Sequence, residues 1–320
     1  MTKEFGMKST CCALALCAFA LPATAADLGK TEEPIKLALT QQTGAQITAH
    51  MAGELLKAAG YTVEFVPVED MAVFRQMDRG NIDANLEIWP ANAAPSFRDL
   101  VMARKLVELG DLGIIPVEGL AYPAHMETTC PGLPALEALR DCAAAFASDG
   151  GAPVLIDYPS NWEGPGADLM TALDLPFTTT PAASEQALVD ALVNASTNGT
   201  PVLAMFWQPH WAATAHDLRF VELPEAEAAC YEDAGWGPNP NTLGDCGFPA
   251  LTTVKSVVKG FKTRWPAAYF LLEDFQITNE TQAELMIAVE RDGRPIADVT
   301  AEWAAANEES WRPLVDGAIN

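Results

Sequence analysis

The chain has 320 residues, with 19 Lys+Arg against 43 Asp+Glu and a formal net charge of -24. A hydrophobic share of 49% beside 19% charged residues excludes a disordered chain, and the length allows one large or two medium domains. The acidity excludes a nucleic-acid binder, because phosphate backbones need clustered Lys and Arg, and it argues equally against docking on an anionic membrane surface.

Met7 and Lys8 precede an apolar run from Cys11 to Leu21. Pro22 breaks the run, and Ala23, Thr24 and Ala25 follow in the A-x-A pattern. This predicts a secretory signal peptide over residues 1–25, cleaved before Ala26, and an exported, soluble, periplasmic product. The run is too short to span a bilayer. Three of the seven cysteines fall in that segment; Cys130, Cys142, Cys230 and Cys246 remain. An even number in an oxidising compartment reads as two disulfides. Sequence neighbours suggest Cys130 with Cys142 and Cys230 with Cys246, although three connectivities are formally open. No C-x-x-C occurs and His is scarce, so neither a metal site nor a cofactor is expected.

Residues 35–40 read as a short buried strand, followed by a helix with Ile47, Met51, Leu55 and Leu56 on one stripe and Gly60 as its stop. A second strand covers 63–68. Asp70 can cap a helix carrying Val73, Phe74 and Met77, and residues 82–88 form a third strand. This βαβαβ order predicts a parallel sheet with helices on its faces. A second α/β series starts near Gly119. It has strands at 154–157, 202–206 and near Phe220–Leu223, a helix over 168–173, and one capped by Ser184. A Gly- and Pro-rich loop spans 234–249. The tail reads as helical over 254–261, 267–275, 279–292 and 299–307, with Asn279 and Gln282 resembling a capping box. The fold class is therefore α/β, with two lobes and a cleft between them. In open sheets of this kind ligands sit beyond the carboxyl ends of the strands.

Three of the eight tryptophans follow strands closely. Trp89 comes directly after Leu86-Glu87-Ile88, and Trp162 lies just past the strand at 154–157. Trp207 ends the strand at 202–206, with Trp211 four residues on. Pro209 suits the first turn of a helix starting there. Loop aromatics on strand ends are costly to expose and usually serve a site. Indole faces hold a methylated cation by cation–π attraction, about 0.5–2 kcal/mol per face. Three faces fall short of the roughly 8 kcal/mol that micromolar binding needs, so a second contact is required. Asn161 to Gly166, including Glu163 and Gly164, is a turn whose free N–H groups can hold a ligand carboxylate. Glu87, Asp157 and Glu163 flank the site and, if they face it, favour a cation such as choline.

Four segments carry a resemblance to the substrate-binding proteins of ABC importers for glycine betaine, proline betaine and carnitine. They are Gly80-Asn81-Ile82-Asp83 through Glu87-Ile88-Trp89-Pro90; Tyr158-Pro159-Ser160-Asn161-Trp162; Met205-Phe206-Trp207-Gln208-Pro209-His210-Trp211; and Ala301-Glu302-Trp303 through Asn307 with Trp311. The resemblance implies a type II-like periplasmic-binding-protein fold with two hinged lobes, residues 26–117 plus 248–320 and residues 118–247. It implies an aromatic box around a quaternary ammonium and delivery to a membrane permease and its ATPase. Trp89, Trp162 and Trp207 fall on the box positions, and Trp211 either joins the box or braces it. The expected ligand is a small methylated zwitterion: glycine betaine, proline betaine, carnitine or dimethylsulfoniopropionate. Trp236, between two glycines in the loop from Cys230 to Cys246, reads as a cleft cover or as plain surface loop. Trp265, Trp303 and Trp311 read as packing residues. Two rivals remain. A choline-ester hydrolase would use Ser160 with His210, and an amino-acid binder would need an Arg clamp that the proposed loops lack.

Overall fold

Short apolar runs, each closed by a turn residue, build two five-stranded sheets. The computed structural model describes residues 28–90, 94–147, 151–162, 164–249 and 252–319. The expected signal peptide and Glu163 lie outside the described residues.

The chain opens with β1 (Ile35–Leu39), β2 (Val63–Pro67), β3 (Ala84–Ile88) and β4 (Leu106–Asp111). It then passes to β5 (Val117–Pro123), β6 (Pro131–Pro134), β7 (Val154–Asp157), β8 (Thr178–Pro181), β9 (Leu203–Gln208) and β10 (Leu218–Phe220), and returns for β11 (Val254–Val258). The first sheet runs β2-β1-β3-β11-β4 and the second β10-β5-β9-β7-β8. Within them β1 is parallel to β2 and β3, and β7 is parallel to β8 and β9. The helix Thr43–Ala58 carries its expected stripe inward, with Ile47, Met51, Leu55 and Leu56 each no more than 2% exposed. Gly60, at φ +97, ends it in a conformation that a side chain would oppose.

The structure departs from the sequence reading in the tail. Residues 254–258 form β11, not a helix, antiparallel to both β3 and β4. Three of its five residues are Val, which suits a pleated, buried slot between two strands. Thr278, not Asn279, caps the helix Asn279–Met286, because its Oγ1 accepts the Thr281 N–H at 3.2 Å. Gln282 turns inward instead, donating to Glu87 and Thr48. Pro209 lies before the helix Trp211–Ala215, which His210 caps by accepting the Ala212 N–H on Nδ1. Asp70 opens a 3-10 turn, Asp70–Ala72, without a capping bond. β10 ends at Phe220, short of Leu223. The tail also runs on in a further helix, Glu308–Ile319.

The chain crosses between the sheets twice, once between β4 and β5 and once between β10 and β11. The crossings are tied together: Leu112 N–H donates to Thr253 O, and Ile277 N–H to Leu112 O, both at 2.9 Å. The Asn279 side chain clasps both backbone groups of Ile115, at 2.9 and 2.8 Å. Trp265 is fully buried with its Nε1–H on Lys30 O, and Trp311 is buried with its Nε1–H on Ala304 O, so both pack as expected. Trp303 is half-buried against the core.

Both disulfides pair sequence neighbours, Cys130 with Cys142 and Cys230 with Cys246. The second closes the loop that holds Trp236 over a separation of 16 residues. Closing a loop of that size restricts the unfolded chain by roughly 3 kcal/mol. A double Cys230→Ser, Cys246→Ser variant should lose about that much in a urea titration. An unchanged midpoint would show that the loop contributes nothing to global stability.

Candidate functional site

Strands β1, β2, β7 and β8 end at one cleft, where the loops after them form a cavity of about 780 Å³. Gln41 and Thr43 enter from the first half, Asn161 and Trp162 from the loop after β7, and Glu185 from the helix after β8. Asn161 reaches across and donates to the Gln41 side chain, so the two halves touch over the cavity.

An aromatic triangle stands on the second sheet. Trp162 and Trp207 have ring centroids 5.5 Å apart at 65°, and Tyr158 lies 5.8 Å from Trp162 and 5.7 Å from Trp207. The cause is local. β7 and β9 are parallel neighbours, so residues just beyond their ends are delivered side by side. Tyr158 is fixed further by its hydroxyl, which donates to Phe206 O. The sequence reading included Tyr158 in a motif but did not assign it to the box. Its place directly after an apolar strand, four residues before Trp162, was the available signal.

The other expected residues fall elsewhere. Trp211 is buried behind the triangle, its ring 6.0 Å from His210, whose own ring stands 5.2 Å from Trp207 at 87°. That is a bracing position. Trp89 is half-buried, with its Nε1–H on Glu87 Oε1 at 3.1 Å. Among the described residues it makes no ring contact with Trp162 or Trp207. Trp236 is half-buried in its loop, its backbone N–H on Asp233 O, and among the described residues it too makes no ring contact with the triangle. A Cβ at Gly164 would collide with the Asp157 carboxylate, which explains glycine there.

The chain matches the family model described as the substrate-binding domain of ABC-type glycine betaine transport systems over residues 33–306. It belongs to that family. Among curated proteins it is 26% identical, over 94% of this chain and 96% of the relative, to a trimethylamine N-oxide-binding protein of Pelagibacter ubique (strain HTCC1062). Solved structures of similar fold include an ABC-transporter choline-binding protein in complex with choline, with a TM-score of 0.66 at 18% identity, covering 89% of this chain and 92% of that one. Lactococcal OpuAC in its closed-liganded conformation with glycine betaine gives a TM-score of 0.64 at 16% identity, covering 90% of this chain and 100% of that one. The expected two-lobed fold is thereby shown, and the chain is a substrate-binding component of the ABC-type glycine betaine transport family. Among the described residues no helix is long and apolar enough to cross a membrane.

In this betaine-family chain the cleft is acidic. Glu69, Glu185 and Glu290 line it, and no Lys or Arg does so among the described residues. Of the turn expected to hold a ligand anion, the Gly166 N–H is already taken by one of the protein's own acids. Asp157 accepts the Tyr158 N–H at 2.8 Å and the Gly166 N–H at 2.9 Å. The start of the helix Thr43–Ala58 is occupied likewise, since Glu185 Oε2 accepts the Thr43 N–H at 3.1 Å and its hydroxyl at 3.4 Å. Burial, with the nearby Glu290 charge, pushes Glu185 up to about 8. Burial also pushes Asp70, beneath the same loops, up to about 6. Burial drives Glu290 upward too, but its contact with His210 and the bond from Trp211 outweigh it and leave its carboxyl below the ordinary value. The sequence offered no sign that Glu185 and Glu290 meet.

Glu185, His210 and Glu290 bring potential ligand atoms within 4.8 Å of one another. The tautomer of His210 decides against a metal. Its Nδ1 lone pair takes the Ala212 N–H at 3.1 Å, so the ring proton sits on Nε2, which faces Glu290 Oε2 at 3.3 Å as a donor. The same assignment removes the base that a Ser160 nucleophile would need.

A carboxyl whose folded value is raised stabilises the protein below its unfolded value and loses that contribution as pH rises through the folded one. Asp70 and Glu185 should therefore make the ligand-free protein more stable at pH 5 than at pH 8.5, most of the upper slope coming from Glu185. Urea titrations across that window should show a flatter profile for Glu185→Gln. An identical slope in the variant would mean that Glu185 does not carry the proton.

Proposed function

We propose that the protein is a periplasmic binding component that closes on a small methylated onium solute and presents it to an inner-membrane permease with its ATPase. It holds the solute without converting it. The methylated head packs against Trp162, Trp207 and Tyr158, each desolvated face contributing about 0.5–2 kcal/mol. Trp89 is proposed to complete the box from the first lobe, residues 26–117 plus 248–320, when the cleft tightens. Asn161 and Gly164 border the entrance on the second lobe, residues 118–247, and Trp236 covers it. Binding shifts the population of the two lobes toward the closed form.

The acidic cleft lining, free of Lys and Arg, carries the choice of solute. A ligand carboxylate would meet the Glu290 carboxylate, while one N–H at each nearby helix start, that of Thr43 and that of Gly166, is already bonded to Glu185 and Asp157. A solute with a hydroxyl or amine-oxide oxygen fits better. A protonated Glu185 can donate to such an oxygen, and Glu185 Oε1 and Glu290 Oε1 are buried without a hydrogen-bond partner. The relative named for trimethylamine N-oxide and the fold neighbour solved with choline agree with this order. Glycine betaine, proline betaine, carnitine and dimethylsulfoniopropionate, which share the methylated head, are placed below them.

Titration calorimetry tests both parts. Trimethylamine N-oxide or choline should bind at least about tenfold more tightly than glycine betaine, a difference of roughly 1.4 kcal/mol. The reverse order would overturn the electrostatic argument. Trp207→Ala should weaken the preferred solute by at least about tenfold without unfolding the protein; unchanged affinity would remove that ring from the box.

A further inference from the structure

The helix Asn279–Met286 continues into a π-helical turn, Ile287–Arg291. Such a turn re-aims its side chains and occurs often at functional sites. The turn here carries Glu290. The helix leading into it belongs with the first sheet, where Gln282 Nε2 donates to Thr48 Oγ1 at 3.1 Å and Glu87 Oε2 at 2.7 Å. Glu290 leaves that half. It accepts the Trp211 Nε1–H at 2.6 Å and lies 3.3 Å from His210 Nε2, with its side chain only 5% exposed. Trp211 and His210 both follow β9, in the segment that sets Trp207. A second contact runs the opposite way: Glu185, beyond β8, caps Thr43 at the head of the first-half helix.

We propose that Glu290 is a positioning residue that latches the closed cleft, bonding to Trp211 and His210 only when the lobes meet and so fixing the segment behind Trp207. A single carboxylate then receives two donors from the opposite lobe. Both donors are inner atoms of buried rings, and neither lies on the methyl-facing surface of the triangle. The latch therefore acts whether or not a solute is present, and its energy adds to that of the solute in the closed state. The inference rests on the two-lobed reading and not on the identity of the solute.

Spin labels at Ala58→Cys and Asn194→Cys, exposed positions on opposite halves, allow the interlobe distance distribution to be measured by electron–electron resonance on the ligand-free protein. The wild-type chain should show a closed fraction. Glu290→Ala should reduce it at least about fivefold, and Glu290→Gln, which keeps an acceptor for the Trp211 N–H, should fall between. Trp211→Phe, which keeps a ring but loses the N–H, should lower the closed fraction alone and add little to Glu290→Ala, because the two share one bond. A wild-type chain with no closed fraction would overturn the proposal. So would a folded Glu290→Ala protein with an unchanged distribution, whatever its affinity for solutes. A failure of every onium solute to bind would count against the proposed function and leave the distance result to judge the latch. Should Glu290→Ala not fold, Glu290→Gln and Trp211→Phe decide by the same measurement.

Discussion

A carboxylate taken out of water must find donors, and that requirement organises this protein more than any other. Asp83 receives the Lys36 N–H and the Arg264 guanidinium, joining β1, the start of β3 and the tail. Glu87 receives Thr48, Trp89 and Gln282, joining β3, the first long helix and the C-terminal helices. Asp157 folds the loop after β7 back onto the strand. Glu185 and Glu290 then carry the same device across the cleft. Each is a local solution to desolvation, and each joins elements that hydrophobic packing alone would leave free to slide.

This has a direct consequence for recognition. Helix starts and tight turns are the usual places for an anionic ligand, because their N–H groups have no partner within the helix. Here the protein's own acids occupy two such places beside the cleft. What remains in the cleft lining is the Trp162 ring, uncharged polar side chains such as Gln41, Asn161 and Ser184, and the carboxyl groups of Glu69, Glu185 and Glu290. Such a site discriminates by the charge the solute brings and by the methyl groups it can bury, and less by shape. The cation–π attraction of the triangle does not distinguish an ammonium with a carboxylate from one without. On the proposed reading, the acids supply that distinction.

How much of this could be read from the sequence depended on how far apart the meeting residues lie. The strand ends and their tryptophans were legible, because an apolar run closed by Trp, Pro or Gly is a local pattern. Trp162 and Trp207 accordingly came together as expected once β7 and β9 paired. The capping by Ser184 was legible for the same reason, and Ala187 donates to its Oγ. Thr43 and Glu185, by contrast, are 142 residues apart, and Trp211 and Glu290 are 79 apart. Nothing in either neighbourhood marks the partner. Gln282 shows the limit sharply, since a local capping role and a buried network suit the same residue and only tertiary burial decides. β11 failed for a related reason. Its five residues are too few to separate a 2-residue from a 3.6-residue period, and the slot between β3 and β4 settled the matter.

The division of the site between the lobes also bears on why it closes. The three rings of the triangle belong to one half, with Trp162 lining the cleft and Tyr158 and Trp207 buried against it. The acidic wall is different. Glu185 takes the N–H and hydroxyl of Thr43 from the first half, and Glu290 takes its contacts with His210 and Trp211 from the second. Left apart, each would take its donors from water at little cost. Brought together they lose that water and rely on one another. The closed state therefore contains buried oxygens whose remaining lone pairs ask for a donor or a positive charge. On the proposed reading, a methylated onium head supplies the charge at the moment the cleft shuts. Closure and recognition are then one electrostatic event, in which neither the empty closed cleft nor the solute in an open one satisfies all the groups.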